Sequence, residues 1–150
     1  MLKLSRKTLL ALEAVIDIAF NARPEPVQAK EITARQGVPQ RYLEQVMQQL
    51  VRAGILKGVR GPRGGYRLAR ERRRISVGDI VRVAESVDDG DPEEVKPTSD
   101  LGARIVTPLV QSLQEELMAR VDGITIEDLC RRARAEGVDN AAAVSADFTI

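Results

Sequence analysis

The chain has 150 residues, 43% apolar and 30% charged, with one cysteine and no histidine. That composition supports one globular core, burying roughly 70% of the unfolded surface. It excludes an internal disulfide, a four-cysteine metal site and every catalytic pair built on imidazole.

The formal charge of +1 hides a strong polarity. Residues 1–75 hold 16 Lys+Arg against 6 Asp+Glu, whereas residues 76–150 hold 7 against 16. Such a chain offers a basic end to a polyanion and an acidic end to something else. No apolar run approaches the ~18 residues of a membrane span. Glu13 and Asp17 interrupt the apolar stretch behind Lys3, Arg6 and Lys7, so a signal peptide is not expected. The expectation is a cytoplasmic protein without a membrane segment.

In chain order, residues 4–22 read as a helix capped by Ser5, with Leu9, Leu12, Ile16 and Ala19 or Phe20 at helical spacing. Pro24-Glu25-Pro26 is a turn. A short helix over 28–36 turns Ala29, Ile32 and Ala34 inward and is broken by Gly37-Val38-Pro39. The next helix, 40–53, buries Leu43, Val46, Met47 and Leu50, with Gly54 behind it in left-handed conformation. Ile55 to Arg60 is a strand candidate, Gly61-Pro62-Arg63-Gly64-Gly65 a turn, and Tyr66 to Ala69 the returning strand. Ser76 and Asp79 cap a helix of roughly 76–87. Residues 88–107, rich in Asp, Glu, Gly and Pro, read as an acidic flexible loop. Thr107 caps a helix opening on Pro108 and carrying an apolar stripe of Leu109, Leu113, Leu117 and Val121. Asp122-Gly123 ends it, Thr125 and Asp128 cap a last helix to about 136, and 137–150 form a flexible tail.

Two short helices joined by a glycine-containing turn outline a helix-turn-helix over 28–54. The polar face of its second helix starts with Gln40, Arg41, Tyr42, Glu44 and Gln45. Gln suits adenine, Arg guanine, and Glu accepts from cytosine, so these types in the first turns match base edges in a major groove. The hairpin that follows reads as a wing. Arg63 sits at its tip with Arg60 and Arg67 on its arms, in reach of a minor groove whose negative potential attracts arginine. Its glycines let the backbone come close to a sugar-phosphate chain. Lys57 and Arg70 to Arg74 are candidate phosphate contacts. Ser5, Arg6 and Lys7, at the start of the first helix, are also placed to hold a phosphate. The glycine turn lacks the Gly-Lys-Ser/Thr pattern of a nucleotide loop and opens no helix.

Leu4-Ser5-Arg6-Lys7, Tyr42-Leu43-Glu44-Gln45, Val59-Arg60-Gly61-Pro62-Arg63-Gly64-Gly65-Tyr66 and Ile124-Thr125-Ile126-Glu127-Asp128-Leu129 resemble the Rrf2 family of bacterial winged helix-turn-helix regulators. That family includes regulators of iron–sulfur-cluster assembly, of the nitric oxide response and of cysteine metabolism. The resemblance covers roughly 1–136. It implies a mainly α fold with a small β-hairpin wing: a winged helix-turn-helix DNA-binding domain over 1–87, the acidic loop over 88–107, and 108–136 as a dimerisation helix with its following helix. It implies a homodimer on an operator in double-stranded DNA. In that picture Gln40, Arg41, Tyr42, Glu44 and Gln45 face DNA, and the wing segment Arg60, Gly61, Pro62, Arg63, Gly64, Gly65 and Tyr66 enters the minor groove. Leu109, Leu113, Leu117 and Val121 would then form the dimer seam.

One departure is marked. Cluster-binding members carry three cysteines before the dimerisation helix; residues 88–107 have none, and Cys130 lies alone in the last helix. The expectation is therefore a transcription regulator, acting as a repressor, without a cofactor or metal. It would respond to a small molecule, thiol oxidation at Cys130 or a partner protein, with cysteine metabolism as a pointer. No paired acid and base frame a pocket, so an enzyme is not expected. The alternative reading is an RNA-binding or ribosome-associated winged-helix protein, for which stacking aromatics are scarce.

Overall fold

A computed structural model of the chain describes residues 4–21, 24–85 and 97–138. Helix α1 (Arg6–Phe20) starts where the Ser5 hydroxyl accepts the Thr8 N–H at 3.2 Å. Its core face is not the Leu9–Ile16 row. Ala11, Ala14, Val15 and Ile18 are buried, while Leu9 is 53% exposed and Leu12 and Ile16 are half-buried. The small Ala11 and Ala14 let neighbouring helices close in on that face, Val15 and Ile18 complete it, and Leu9 lies off it.

Helices α2 (Ala29–Gln36) and α3 (Gln40–Arg52) form the expected helix-turn-helix. Gln28 and Glu31 box the start of α2: the Gln28 N–H donates to Glu31 Oε2 at 2.8 Å. Gly37, at φ 69°, closes it, a conformation that costs glycine little. Ile32 is buried but Ala34 is exposed, so the inward face of α2 is narrower than expected. On α3, Leu43, Val46, Met47 and Leu50 are all buried, and Gly54 behind it has φ 76°.

Strands β1 (Leu56–Val59) and β2 (Gly65–Leu68) pair antiparallel with Gly58 opposite Tyr66. Beyond them a 3₁₀ turn (Arg72–Arg74) leads to α4 (Val77–Glu85). Ser76 and Asp79 cap α4 reciprocally, each backbone N–H reaching the other's side-chain oxygen at 3.0 Å.

The stretch before α5 (Thr107–Asp122) departs most from expectation. Residues 86–96 lie outside the described residues, but helix already begins at Asp100 and passes through a π turn (Gly102–Val106) into α5. Thr107 is helical, φ −60° and ψ −50°, and caps nothing; its N–H reaches back five residues to the Gly102 carbonyl. Pro108 explains the wide turn. Its ring crowds the carbonyl four residues back and it has no N–H to give, so the ladder widens there instead of ending.

Helix α6 (Ile126–Ala135) starts on a capping box of Thr125 and Asp128, with bonds of 3.0 and 3.1 Å. It belongs to the main core and not to a separate unit with α5. Ile126 and Cys130 are fully buried in the same cluster as Val15, Leu43, Met47, Leu50, Ile75 and Ile80. The Ile126 N–H donates to Ile75 O at 2.9 Å and the Val77 N–H to Ile124 O at 2.8 Å, tying α6 to the start of α4. The expected tail lies outside the described residues from position 139 onward.

Candidate nucleic-acid interface

The polar start of α3 and the wing lie on one side of the molecule because of one short backbone pairing. Val27, just ahead of α2, bridges to Tyr66 of β2: the Val27 N–H donates to Tyr66 O at 3.0 Å and the Tyr66 N–H to Val27 O at 2.8 Å. The wing is thereby hydrogen-bonded to the entrance of the helix-turn-helix. A groove of about 310 Å³ runs across the join, lined by Ala29, Glu44, Val59, Arg60 and Tyr66 among others. Val27 is the residue that sequence reasoning missed. A single extended residue after Pro-Glu-Pro leaves no periodic signal.

On this surface Gln40, Arg41 and Gln45 are exposed, and Tyr42 and Glu44 are half-buried. The Gln40 side-chain amide donates to Glu44 Oε1 at 3.0 Å, one turn apart, so these two present a joined donor–acceptor unit. Tyr66 is half-buried at the wing base; burial first, and the Glu44 carboxylate second, push its phenol above the usual tyrosine value. Lys57, Arg60, Pro62 and Arg63 are exposed. Arg41, Lys57, Arg60 and Arg63 have no hydrogen-bonded or ion-paired side-chain partner among the described residues. Of these four cations Arg60 lines the groove, beside Glu44, and the other three lie on α3 and the wing that flank it.

The wing glycines have an internal reason that sequence reasoning did not supply. A Cβ on Gly64 would lie 2.3 Å from Val59 O, and one on Gly65 would lie 2.4 Å from Val27 O. Gly61 adopts φ 113° and its carbonyl accepts the Gly64 N–H at 2.9 Å, closing the tip. Gly64 and Gly65 are thus required by the hairpin's own backbone before any ligand approaches.

The flanking basic residues divide. Arg67 donates to the Pro24 carbonyl, holding the loop before Val27. Arg72 pairs with Glu127 of α6, Arg73 with Glu71 at 2.6 Å, and Arg70 approaches Asp79 at 4.0 Å. Three of the arginines read as phosphate contacts therefore meet carboxylates of this chain: one on α6, one two residues away and one in the first turn of α4. Ser5 is also committed. Its hydroxyl caps α1 and donates to Glu85 Oε1 at 3.3 Å, which Thr8 also reaches at 2.7 Å. A carboxylate already stands at that helix start, where a phosphate was expected. Arg6 remains exposed beside it, and Lys7 is half-buried.

Cys130, the lone cysteine of the last helix, is wholly buried. Desolvation pushes its thiol up, opposed by the Arg72 charge and hydrogen bond.

The Leu109, Leu113, Leu117 and Val121 stripe is not covered within the chain. No residue of α5 is buried; Leu109 is 57% and Leu113 37% exposed, while Leu117 and Val121 are half-buried.

Comparisons with known proteins fit this arrangement. The Rrf2 family model, described as an iron-dependent transcriptional regulator, matches residues 4–132. The HTH-type transcriptional regulator IscR of Aliivibrio salmonicida is 34% identical over 129 residues, 85% of this chain and 77% of that protein. Among solved structures, T. potens IscR superposes with a TM-score of 0.73 at 32% identity, over 91% of this chain and 92% of that one. CymR, the global cysteine regulator of B. subtilis, gives 0.68 at 32% identity, over 88% and 98%. These relatives regulate transcription and are not enzymes, and no described helix is long and apolar enough to cross a membrane.

Proposed function

Because the chain belongs to the Rrf2 family of DNA-binding transcription regulators, we propose that it is a homodimeric repressor that reads a two-fold operator without an iron–sulfur cluster. The observation that carries this reading is the Val27–Tyr66 bridge, which sets the exposed first turns of α3 and the cationic wing around one groove. In this reading α3 lies in a major groove. Arg41 faces guanine, the Gln40–Glu44 unit spans an adenine or cytosine edge, and Tyr42 and Gln45 fill the neighbouring positions. Arg60 and Arg63, carried by Gly61, Pro62, Gly64 and Gly65, reach the adjoining minor groove. Lys57 and Arg6 contribute phosphate contacts, which give affinity without sequence preference.

The donors of this chain do not fit an iron–sulfur cluster. There is no histidine, the one cysteine is sealed in the core on α6, and among the described residues no three His, Cys, Asp or Glu gather to hold a metal. The buried, high-pKa thiol is also a poor oxidation sensor, since the thiolate is the reactive form. That favours a small molecule or partner protein as the signal, and the cysteine-regulator relative makes cysteine metabolism the first target class to examine. The exposed apolar positions of α5 support dimerisation through that helix.

Selection of random oligonucleotides on the purified protein tests this proposal. A consensus with two inverted half-sites about one helical turn apart is the expected outcome. Enrichment of a single asymmetric site, or of single-stranded RNA over duplex DNA in competition, overturns it.

A further inference from the structure

Two of the large apolar side chains left open among the described residues stand apart from α5: Leu9 and Val138, the latter 55% exposed. Both line one groove of about 460 Å³ between α1 and the end of α6, with Leu12, Ile16, Phe20 and Ala133 as its apolar floor. Much of its polar rim is satisfied internally. Arg35 holds Asp17 with two bonds of 2.7 Å, and the Asn21 amide donates to the same carboxylate at 3.3 Å. Glu13 is the exposed charge beside them. What the groove offers is therefore mainly apolar surface.

The end of α6 delivers the chain to that groove. Gly137 takes φ 77°, its N–H donates to Arg134 O at 3.1 Å, and the Val138 N–H donates to Ala133 O at 3.0 Å. This pair of bonds reverses the chain and lays the residue after the glycine back on the last helical turn. Val138 is thereby held on the groove that Ala133 also lines, and residues 139–150 continue from its edge. Their composition is not that of a solvated extension. Seven are apolar, namely Ala141 to Ala143, Val144, Ala146, Phe148 and Ile150, and the charges are Asp139 and Asp147 alone. Ala141, Val144 and Phe148 fall at helical spacing and share one edge. Phe148 is one of two phenylalanines in the chain, and the other, Phe20, floors the groove. The reach is sufficient. Leu9 to Phe20 covers about 16 Å of α1, and the stretch from Val138 to Phe148 covers ~15 Å as helix or ~33 Å extended.

We infer that residues 139–150 fold back on their own chain and seat Val144 and Phe148 in the α1–α6 groove, against Ile16, Phe20 and Ala133. Because the turn after α6 anchors one end of the segment at the groove, the contact forms at high effective concentration. A few apolar side chains then suffice, where a separate partner would need a far larger surface. Glu13 on the rim and Asp147 on the segment carry the same sign, so added salt should tighten the contact. The inference needs neither the operator nor the dimer of the proposed function, and it stands or falls apart from them.

The chain contains no tryptophan, so Phe148→Trp places a single indole reporter in the full-length protein. The expected result is an emission shifted to the blue and shielded from acrylamide in the folded protein. In urea it should move to that of a solvated indole together with the helical circular dichroism. A second measurement fixes the location. Ile16→Cys and Phe148→Cys in one chain, oxidised, should form a disulfide within that chain, seen as faster migration without reductant; Cys130 is wholly buried and stands aside. A fully solvated indole in the folded protein overturns the inference, and so does the absence of the disulfide. A disulfide that joins two chains also overturns it, since the groove would then hold the segment of a second copy.

Discussion

Replacing Gly65 by alanine isolates the contact that joins the wing to the helix-turn-helix. A Cβ at this position would stand 2.4 Å from Val27 O and 2.7 Å from Val27 C, both backbone atoms that have no rotamer to change. The strand must retreat, and the two hydrogen bonds between Val27 and Tyr66, 3.0 and 2.8 Å, go with it. At roughly 0.5–1.5 kcal/mol each, their loss costs about 1–3 kcal/mol. Gly58 is the internal control. It lies opposite Tyr66 on the partner strand, and a Cβ there meets nothing within 4 Å. Gly58→Ala should fall within about 0.5 kcal/mol of wild type. Urea denaturation of the three proteins, with unchanged slopes, reads the stability difference, and a gel shift on the selected operator reads the functional one. Gly65→Ala should lose affinity as well as stability, because an untethered wing no longer holds Arg60 and Arg63 in place. A Gly65→Ala protein as stable as Gly58→Ala, with undiminished operator affinity, would refute the claim that this bridge positions the wing.

Three further outcomes follow from the same geometry. Arg63→Ala, at an exposed tip with no internal partner, should weaken operator binding by about 1–3 kcal/mol while leaving the melting temperature unchanged; titrations across salt concentrations would check both affinity and slope. Leu109→Asp with Leu113→Asp should give a folded monomer by sedimentation, with unchanged helical circular dichroism, since neither side chain is part of the core. Asp128 has its pKa lowered below the ordinary 3.8, first by the Thr125 backbone N–H and then by the Thr125 hydroxyl. A folded value below the unfolded one stabilises fully above the unfolded value, and that contribution fades as pH falls through the folded one. The stability gap between wild type and Asp128→Ala should therefore be widest near neutrality and shrink below about pH 4, as melting curves across pH would show.

The sequence was most legible where a residue type does one job in one place. Leu43, Val46, Met47 and Leu50 share a helical face that only a buried side explains, and Gly37 and Gly54 mark chain reversals that other residues avoid. Thr125 and Asp128 announce a helix start by side-chain chemistry alone. Reading failed where the decisive partner is distant. Nothing local says that Ala11 and Ala14, not Leu9, form the buried side of α1, because small size is an advantage only against the helices that cross it. Arg72 looked like its basic neighbours until Glu127, 55 positions on, was brought beside it. The Asp100–Val106 turn was hidden by Pro108, which usually marks a first turn and here sits inside a continuing helix. The polar residue types at the start of α3 were readable; the shared placement of α3 and the wing depended on Val27, whose backbone makes the bridge to Tyr66.

The joint between α4 and α6 has a consequence for how a signal is transmitted. Ile75 and Val77, at the exit of the wing, are hydrogen-bonded directly to Ile126 and Ile124, at the exit of α5. The exit of the wing and the end of α5 therefore meet through backbone hydrogen bonds. In a two-fold pair this makes the protein a ruler. In the proposed dimer the angle at that joint would set the distance between the two wings, and a ligand that tilted α5 would change the half-site spacing that the pair can match.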